Sequence, residues 1–153
     1  MPPRSWLRPF LAILLTILAL VAWYWTWDAS NAPLKARQAQ MYVNINTLRV
    51  ALDRYATDHR SRYPRDGEVI QALATGNYLP GNQLGQNPYA PPGTPARLVA
   101  DAATINNPQR PVAYAPGTLL YHCLPQHGTY TVLGVVEGPP GQQLLGPAPV
   151  TKP

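Results

Sequence analysis

One stretch constrains this chain more than any other: Phe10 to Trp27 (FLAILLTILALVAWYWTW) runs for 18 residues without a charged side chain. At about 1.5 Å per residue, a helix of that length reaches roughly 27 Å, close to the hydrocarbon thickness of a bilayer. Its exit carries Trp23, Tyr24, Trp25 and Trp27, amphipathic aromatics that favour the headgroup level, and Asp28 closes the run. The reading is a membrane-spanning helix over residues 10–27, with Phe10, Leu14, Leu18, Trp23, Trp25 and Trp27 as its anchoring side chains. Residues 1–9 then form a cytoplasmic tail.

A cleaved secretory signal is the competing reading, because Arg4 and Arg8 make a basic region ahead of the apolar one. Against it, the run is longer than a usual signal core, and bulky aromatics stand where small residues should precede cleavage. The nearest small pair, Ser30 and Ala32, would leave Pro33 as the new first residue. Positive charge gives only a slight bias in orientation, since Lys35 and Arg37 follow the run as Arg4 and Arg8 precede it. A short N-terminal tail offers no domain to export, so the C-terminal part is expected outside the cytoplasm.

Of the 153 residues, the part after the anchor suffices for one small domain. Nineteen prolines and eleven glycines, most of them after Pro80, make its second half rich in loops. The formal charge of +5 comes from arginines scattered among Asp53, Asp58, Asp66 and Glu68, which is a solvated helix face rather than a basic stripe for nucleic acid. The single cysteine, Cys123, excludes an intrachain disulfide and reads as a small buried hydrophobe.

Beyond the anchor, Asn31 could cap a new helix with Pro33 in its first turn, or one helix could continue through Pro33 with a kink. Met41, Ile45, Leu48, Leu52 and Tyr55 then step by four, three, four and three, which places them on one stripe of a stem helix over 35–62. Arg49 with Asp53, and Arg54 with Asp58, have the spacing of ion pairs on its outer side. Pro64 stops the helix. A short helix over 67–75 follows, with Asp66 as N-cap and Gly76 as C-cap. Residues 80–110 read as loop, and three short strands follow within 111–136: Val112 to Ala115, Thr118 to Leu124, and Thr129 to Val136. The fold expected is α+β, a long N-terminal helix packed by a small antiparallel three-stranded meander, with a disordered Pro/Gly-rich tail over 137–153.

That order of parts resembles the type IV pilin and type II secretion pseudopilin family, the major pseudopilins above all. The resemblance rests on LRVALDRYATDHRSRYP, on the stretch from Gln71 to Pro80, on the Asn87-Pro88-Tyr89 loop and on Tyr130-Thr131-Val132-Leu133. It covers roughly residues 35–137. It implies structural roles for Tyr55, Tyr63 and Pro64, which would close the stem, for Tyr78, Leu79 and Pro80, which would anchor the next loop, and for Asn87, Pro88 and Tyr89. It also implies a non-enzymatic scaffold subunit that meets the membrane, other pilin-like or secretion-system proteins, or copies of itself through its N-terminal helix. The chain departs from the family where prepilins carry a glycine before the cleavage point and a glutamate five residues into the mature helix. Here those positions hold Pro9 and Leu14. With only Asp101 and Glu137 in the C-terminal region, no calcium site is carried over.

Chemistry finds little support in the sequence. His122, Cys123 and His127 are the only ligand-type cluster, and neighbours in a strand point to opposite faces, so His122 and Cys123 do not readily share a metal. Asp58 and His59 have no nucleophile beside them, and Gly81, Gly85 and Gly93 lie in proline-rich loop rather than after a strand. No catalytic residue, cofactor or metal is therefore assigned, and the expectation is a protein that is not an enzyme. Two functions remain open: a scaffold subunit associating through its stem, and a membrane-anchored extracytoplasmic binding module that uses the proline-rich loop.

Overall fold

The computed structural model describes residues 7–107, 112–124, 128–138 and 141–146. The expectations for the tail before residue 7, for the turn at 125–127 and for residues 147–153 lie outside that set. Contacts divide the chain into two units, Met1–Ala36 and Arg37–Pro153.

The first unit is the apolar part of helix α1, Leu7–Asp58, which carries Pro33 inside it. No new helix is capped at Asn31. Its side-chain amide donates instead to the Trp27 carbonyl at 3.0 Å, and the Ser30 hydroxyl donates to the same oxygen at 2.8 Å. From Phe10 to Trp27 the large apolar side chains stand exposed.

In the second unit, α1 contributes its C-terminal part. It ends at Asp58, four residues before the sequence-based boundary, because Arg60 and Ser61 adopt left-handed backbone angles (φ 57° and 61°) and the Ser61 N–H donates to the Ala56 carbonyl at 2.7 Å. Helix α2, Val69–Thr75, follows. Its N-cap is Glu68 with no side-chain cap, not Asp66, while its C-cap is Gly76 as expected, followed by Asn77 in a left-handed conformation (φ 54°). The Tyr78 N–H closes that end on the Leu73 carbonyl at 3.1 Å. Gly76 serves the Tyr78 ring, which lies 2.1 Å from where a Cβ would be.

The sheet differs most from expectation. It has four strands in the order β1 (Arg97–Ala100), β2 (Thr118–Leu124), β3 (Thr129–Gly138) and β4 (Gly141–Leu145). β2 with β3 and β3 with β4 are antiparallel, but β1 runs parallel to β2 with Leu98 opposite Leu119. The sheet is mixed and not a three-stranded meander. The chain leaves β1 through helix α3, Ala102–Asn106, and returns in the same direction, as a parallel pair requires. β1 and α3 both fall in the stretch expected to be loop. Val112 to Ala115 is not a strand: it lies where the Gln142 amide donates to the Val112 and Tyr114 carbonyls at 2.7 Å each. Residues 141–145, expected in a disordered tail, form β4 because β3 extends to Gly138 and gives them a partner.

One core joins helix and sheet. Met41, Ile45, Leu48, Ala51 and Leu52 of α1 meet Leu98, Leu119, Tyr121, Cys123, Tyr130, Val132 and Val136, with Val69 and Leu73 of α2 completing it. Each of the larger aliphatic side chains contributes about 1.5–3 kcal/mol by leaving water. Gly134 sits at the closest approach, since a Cβ there would come within 2.8 Å of the Met41 methyl and 3.1 Å of Ile45 Cδ1. Leu120 and Val135, absent from that cluster, are also fully buried, and α3 packs on β2. The sheet centre is therefore covered on both faces.

Candidate functional site

The helix that buries the sheet also presents an apolar face away from it. Met41, Ile45, Leu48 and Leu52 are 0–2% exposed and Tyr55 is half-buried. At 3.6 residues per turn, Val43 and Val50 fall on the opposite side, and they are 55% and 45% exposed, with Tyr42 at 50% beside them. No charged residue interrupts the helix between Arg37 and Arg49. A shallow concavity of about 360 Å³ opens here, lined by Tyr42, Val43, Ile45, Asn46 and Arg49. The Arg49 Nε is buried there without a hydrogen-bond partner.

A second feature ties the proline-rich segment to the same helix. Asn44, 1% exposed, donates from Nδ2 to the Gln86 carbonyl at 2.8 Å. Gly85 is required opposite it, because a Cβ there would lie 2.1 Å from Asn44 Oδ1. Beyond, the Asn87 N–H donates to Thr94 O and the Ala96 N–H to Gly85 O, so 85–96 folds back on itself. Asn87 Oδ1 accepts from the Tyr89 N–H at 2.8 Å, an Asx turn that leads into Pro88 and Tyr89. The segment is held, and Pro91, Pro92 and Pro95 remain exposed.

The other residues singled out from the sequence have packing roles. Pro64 is buried, and its carbonyl accepts from the Tyr121 hydroxyl at 2.7 Å. Tyr63 stacks edge-on against Tyr130 with centroids 4.5 Å apart, and both hydroxyls reach Asp53 Oδ1, at 3.4 and 3.3 Å. Tyr78 donates to Asp58 at 2.8 Å, Leu79 is buried, and Pro80 opens a short 3₁₀ turn. The ion pairs expected between Arg49 and Asp53 and between Arg54 and Asp58 do not form; tyrosine hydroxyls reach those carboxylates instead. Burial, then the Asp53 charge, pushes the Tyr130 hydroxyl up to about 12, and burial raises Tyr121 further still.

The ligand-type residues of β2 are divided as strand geometry demands. Asp66 accepts from the Cys123 N–H at 2.7 Å through one oxygen and faces His122 Nδ1 at 2.8 Å through the other. The Cys123 side chain belongs to the helix-facing core, where burial raises its thiol. His127 lies outside the described residues. Among those that are described, no group of three or more His, Cys, Asp or Glu side chains could hold a metal ion.

Asn44, Gly85, Gly134 and the strand-binding role of Asp66 were missed in the sequence. Gly134 did carry a signal, a glycine interrupting a β-branched run, which marks close approach of another backbone or side chain. Asn44 carried a weaker one, a polar residue three positions from Met41 and four from Leu48.

The anchor side chains Phe10, Leu14, Leu18, Trp23, Trp25 and Trp27 are 44–71% exposed. Among the described helices, α1 is the one long and apolar enough to cross a membrane. Fold and site together define a small α+β domain carried on such a helix. No family model, curated protein or solved structure matches the chain.

Proposed function

We propose that the chain is a non-enzymatic, pilin-like scaffold or assembly subunit of a bacterial envelope machine of the type II secretion or type IV pilus kind. It sits in the inner membrane by one span, with its C-terminal domain extracytoplasmic. The observation that supports this reading is the second apolar face of α1. A helix with apolar residues on both sides calls for two partners, and the sheet supplies one. A helix from another copy or from a related subunit suits the exposed Val43, Val50 and Tyr42. Pro9 and Leu14 stand where processing and subunit registration need glycine and glutamate, so the anchor stays uncleaved and the role is an accessory one.

The test is cysteine cross-linking in native membranes, with Leu18→Cys and Val43→Cys made separately in a Cys123→Ser background. Covalent dimers, or adducts with other small membrane subunits, are expected at both positions, and adding Val43→Glu to the Leu18→Cys chain should suppress them. A monomer at both positions refutes the scaffold. The second reading, a membrane-anchored binding module, draws on a concavity of about 490 Å³ lined by Gln40, Gln86, Asn87, Pro88, Ala90 and Pro92. It predicts a monomeric anchor and a partner lost when Pro92 is replaced.

A further inference from the structure

Just past the last turn of α1 the chain gathers charge that neither the core nor the stem face uses. A concavity of about 430 Å³ is lined by three guanidiniums, Arg60, Arg62 and Arg65, and by two carboxylates, Asp58 and Glu68. All three arginines are exposed, and among the described residues none lies within ion-pair distance of a carboxylate. Two nearby carboxylates that could have quenched them are held elsewhere, Asp58 by the Tyr78 hydroxyl and Asp66 by His122 and the Cys123 N–H, and the exposed Glu68 makes no ion pair with them.

The cluster is held by its backbone. The His59 ring stacks on Tyr55 at 3.8 Å and 5°, the Arg62 N–H donates to the His59 carbonyl at 3.2 Å, and the Ser61 N–H reaches back to Ala56. Arg60 adopts a left-handed conformation (φ 57°) that glycine would take without strain. The fold alone would be better served by glycine there, and retained strain of this kind is characteristic of functional positions. A second concavity, of about 330 Å³, shares Arg62, Tyr63 and Arg65 as a wall, so these side chains form a ridge open on both sides.

Surface arginines after a helix often do no more than complement its terminal carbonyls. Here α1 has no basic residue in its last turn, and none of the three guanidiniums donates to its terminal carbonyls. The ligand must instead be anionic. Guanidinium forks match a carboxylate bidentately, while Asp58 and Glu68 interrupt the continuous positive surface that the phosphates of a nucleic acid would follow. The half-buried Tyr55 and Tyr63 in its wall accept an apolar neighbour of that carboxylate. From this geometry we infer that the Arg60, Arg62 and Arg65 concavity is a docking site for an acidic protein segment in which carboxylates alternate with apolar side chains.

The experiment uses the full chain in zwitterionic nanodiscs and a fluorescein-labelled probe peptide of alternating glutamate and leucine, followed by anisotropy. The wild type is expected to bind the peptide with an affinity that falls as salt rises, and to ignore the peptide in which every glutamate is glutamine. Arg62→Gln combined with Arg65→Gln should weaken binding about tenfold or more. Arg60→Gly should weaken it several-fold while leaving the melting temperature unchanged or higher, which separates loss of the site from loss of the fold. Arg97→Gln, on β1, should bind as wild type does. Equal binding by wild type and the Arg62/Arg65 double variant, or no binding by wild type, overturns the inference. So does displacement of the peptide by inorganic phosphate or an oligothymidylate at lower concentration than by unlabelled peptide, which would make the site a phosphate site.

Discussion

Gly85 and Asn44 should be strongly coupled, with the glycine needed only while Asn44 is present. In the wild type, Gly85→Ala puts a methyl 2.1 Å from Asn44 Oδ1, so the amide must move by about 1 Å to restore ordinary contact. Asn44 has little room, being 1% exposed and holding the Gln86 carbonyl at 2.8 Å. Overpacking together with the weakened bond should cost about 2 kcal/mol. Asn44→Ala alone should cost about 1–2 kcal/mol through the lost bond and a small cavity. In the Asn44→Ala background the obstructing oxygen is gone, and Gly85 does not use a left-handed backbone that alanine would resist. There Gly85→Ala should be neutral, or stabilising by about 0.5 kcal/mol, through the less flexible unfolded chain. The coupling is thus about 2 kcal/mol in favour of the double variant. Urea unfolding in mild detergent measures it by the tyrosine near-ultraviolet dichroism, since all four tryptophans precede Asp28 and most tyrosines follow Met41. Amide exchange at Asn87 and Ala96 should rise in both single variants. If Gly85→Ala costs the same with and without Asn44, the close approach is not what requires the glycine, and the account of how the proline-rich segment is pinned fails.

Asp101 gives a pH test: the Thr104 hydroxyl at 2.6 Å, the Tyr114 hydroxyl and two backbone N–H groups hold its carboxyl down at about 2. A lowered carboxyl stabilises the fold above about pH 4, and that stability is lost as pH falls through about 2. Thermal melts should show Asp101→Asn less stable by about 1 kcal/mol at pH 6, after allowance for solvent screening, and the gap should close on acidification; a constant gap refutes the assignment. Tyr121→Phe should cost about 1–2 kcal/mol, because it leaves the buried Pro64 carbonyl without its donor. On alkaline titration, Tyr121 and Tyr130, both raised chiefly by burial, favour the fold below about pH 10 and oppose it above. Their ionisation, read by absorbance at the phenolate band, should therefore coincide with unfolding, and ionisation with the dichroism intact would contradict their burial. Asp66→Ala should cost about 2 kcal/mol by orphaning the Cys123 N–H, while Asp66→Asn, which keeps one acceptor oxygen, should cost clearly less by the same urea assay.

What could be read from the sequence was local and periodic. The Met41 to Tyr55 stripe repeats at helical spacing over four turns, and β2 and β3 are dense in residues that favour a pleated surface. What could not be read depended on distant partners. β1 is only four residues, Arg97–Ala100, between Pro95 and Asp101, and nothing local distinguishes it from loop until β2 arrives alongside. β4, Gly-Gln-Gln-Leu-Leu, has a composition suited to disorder and becomes a strand because β3 is long enough to pair with it. Asp66 is a sound N-cap by propensity, yet a buried N–H on β2 and the His122 ring compete for its two oxygens and win. Tyrosines near Asp53 and Asp58 are already fixed by packing and reach those carboxylates, whereas the exposed Arg54 would have to give up rotamer freedom to pair with Asp58.

The exposed apolar face of α1 was hidden for a different reason. A search for one amphipathic stripe finds Met41, Ile45, Leu48 and Leu52 and assigns everything else on the helix to solvent. Val43 and Val50 are seven residues apart on the far side, and they show themselves only once the sheet has claimed the first stripe and left them 55% and 45% exposed. Exposed valines in a helix lose side-chain freedom without burying surface, so the helix forgoes stability at each of them. Two in register, with Tyr42 beside them and no charge from Gln38 to Leu48, are hard to account for as a solvated face, where lysine, glutamate or glutamine would serve the helix better. The same spacing is a sound design for a helix that meets another helix. On this argument the core stripe explains how the domain folds, and the exposed stripe, which folding does not use, is where its function is expected.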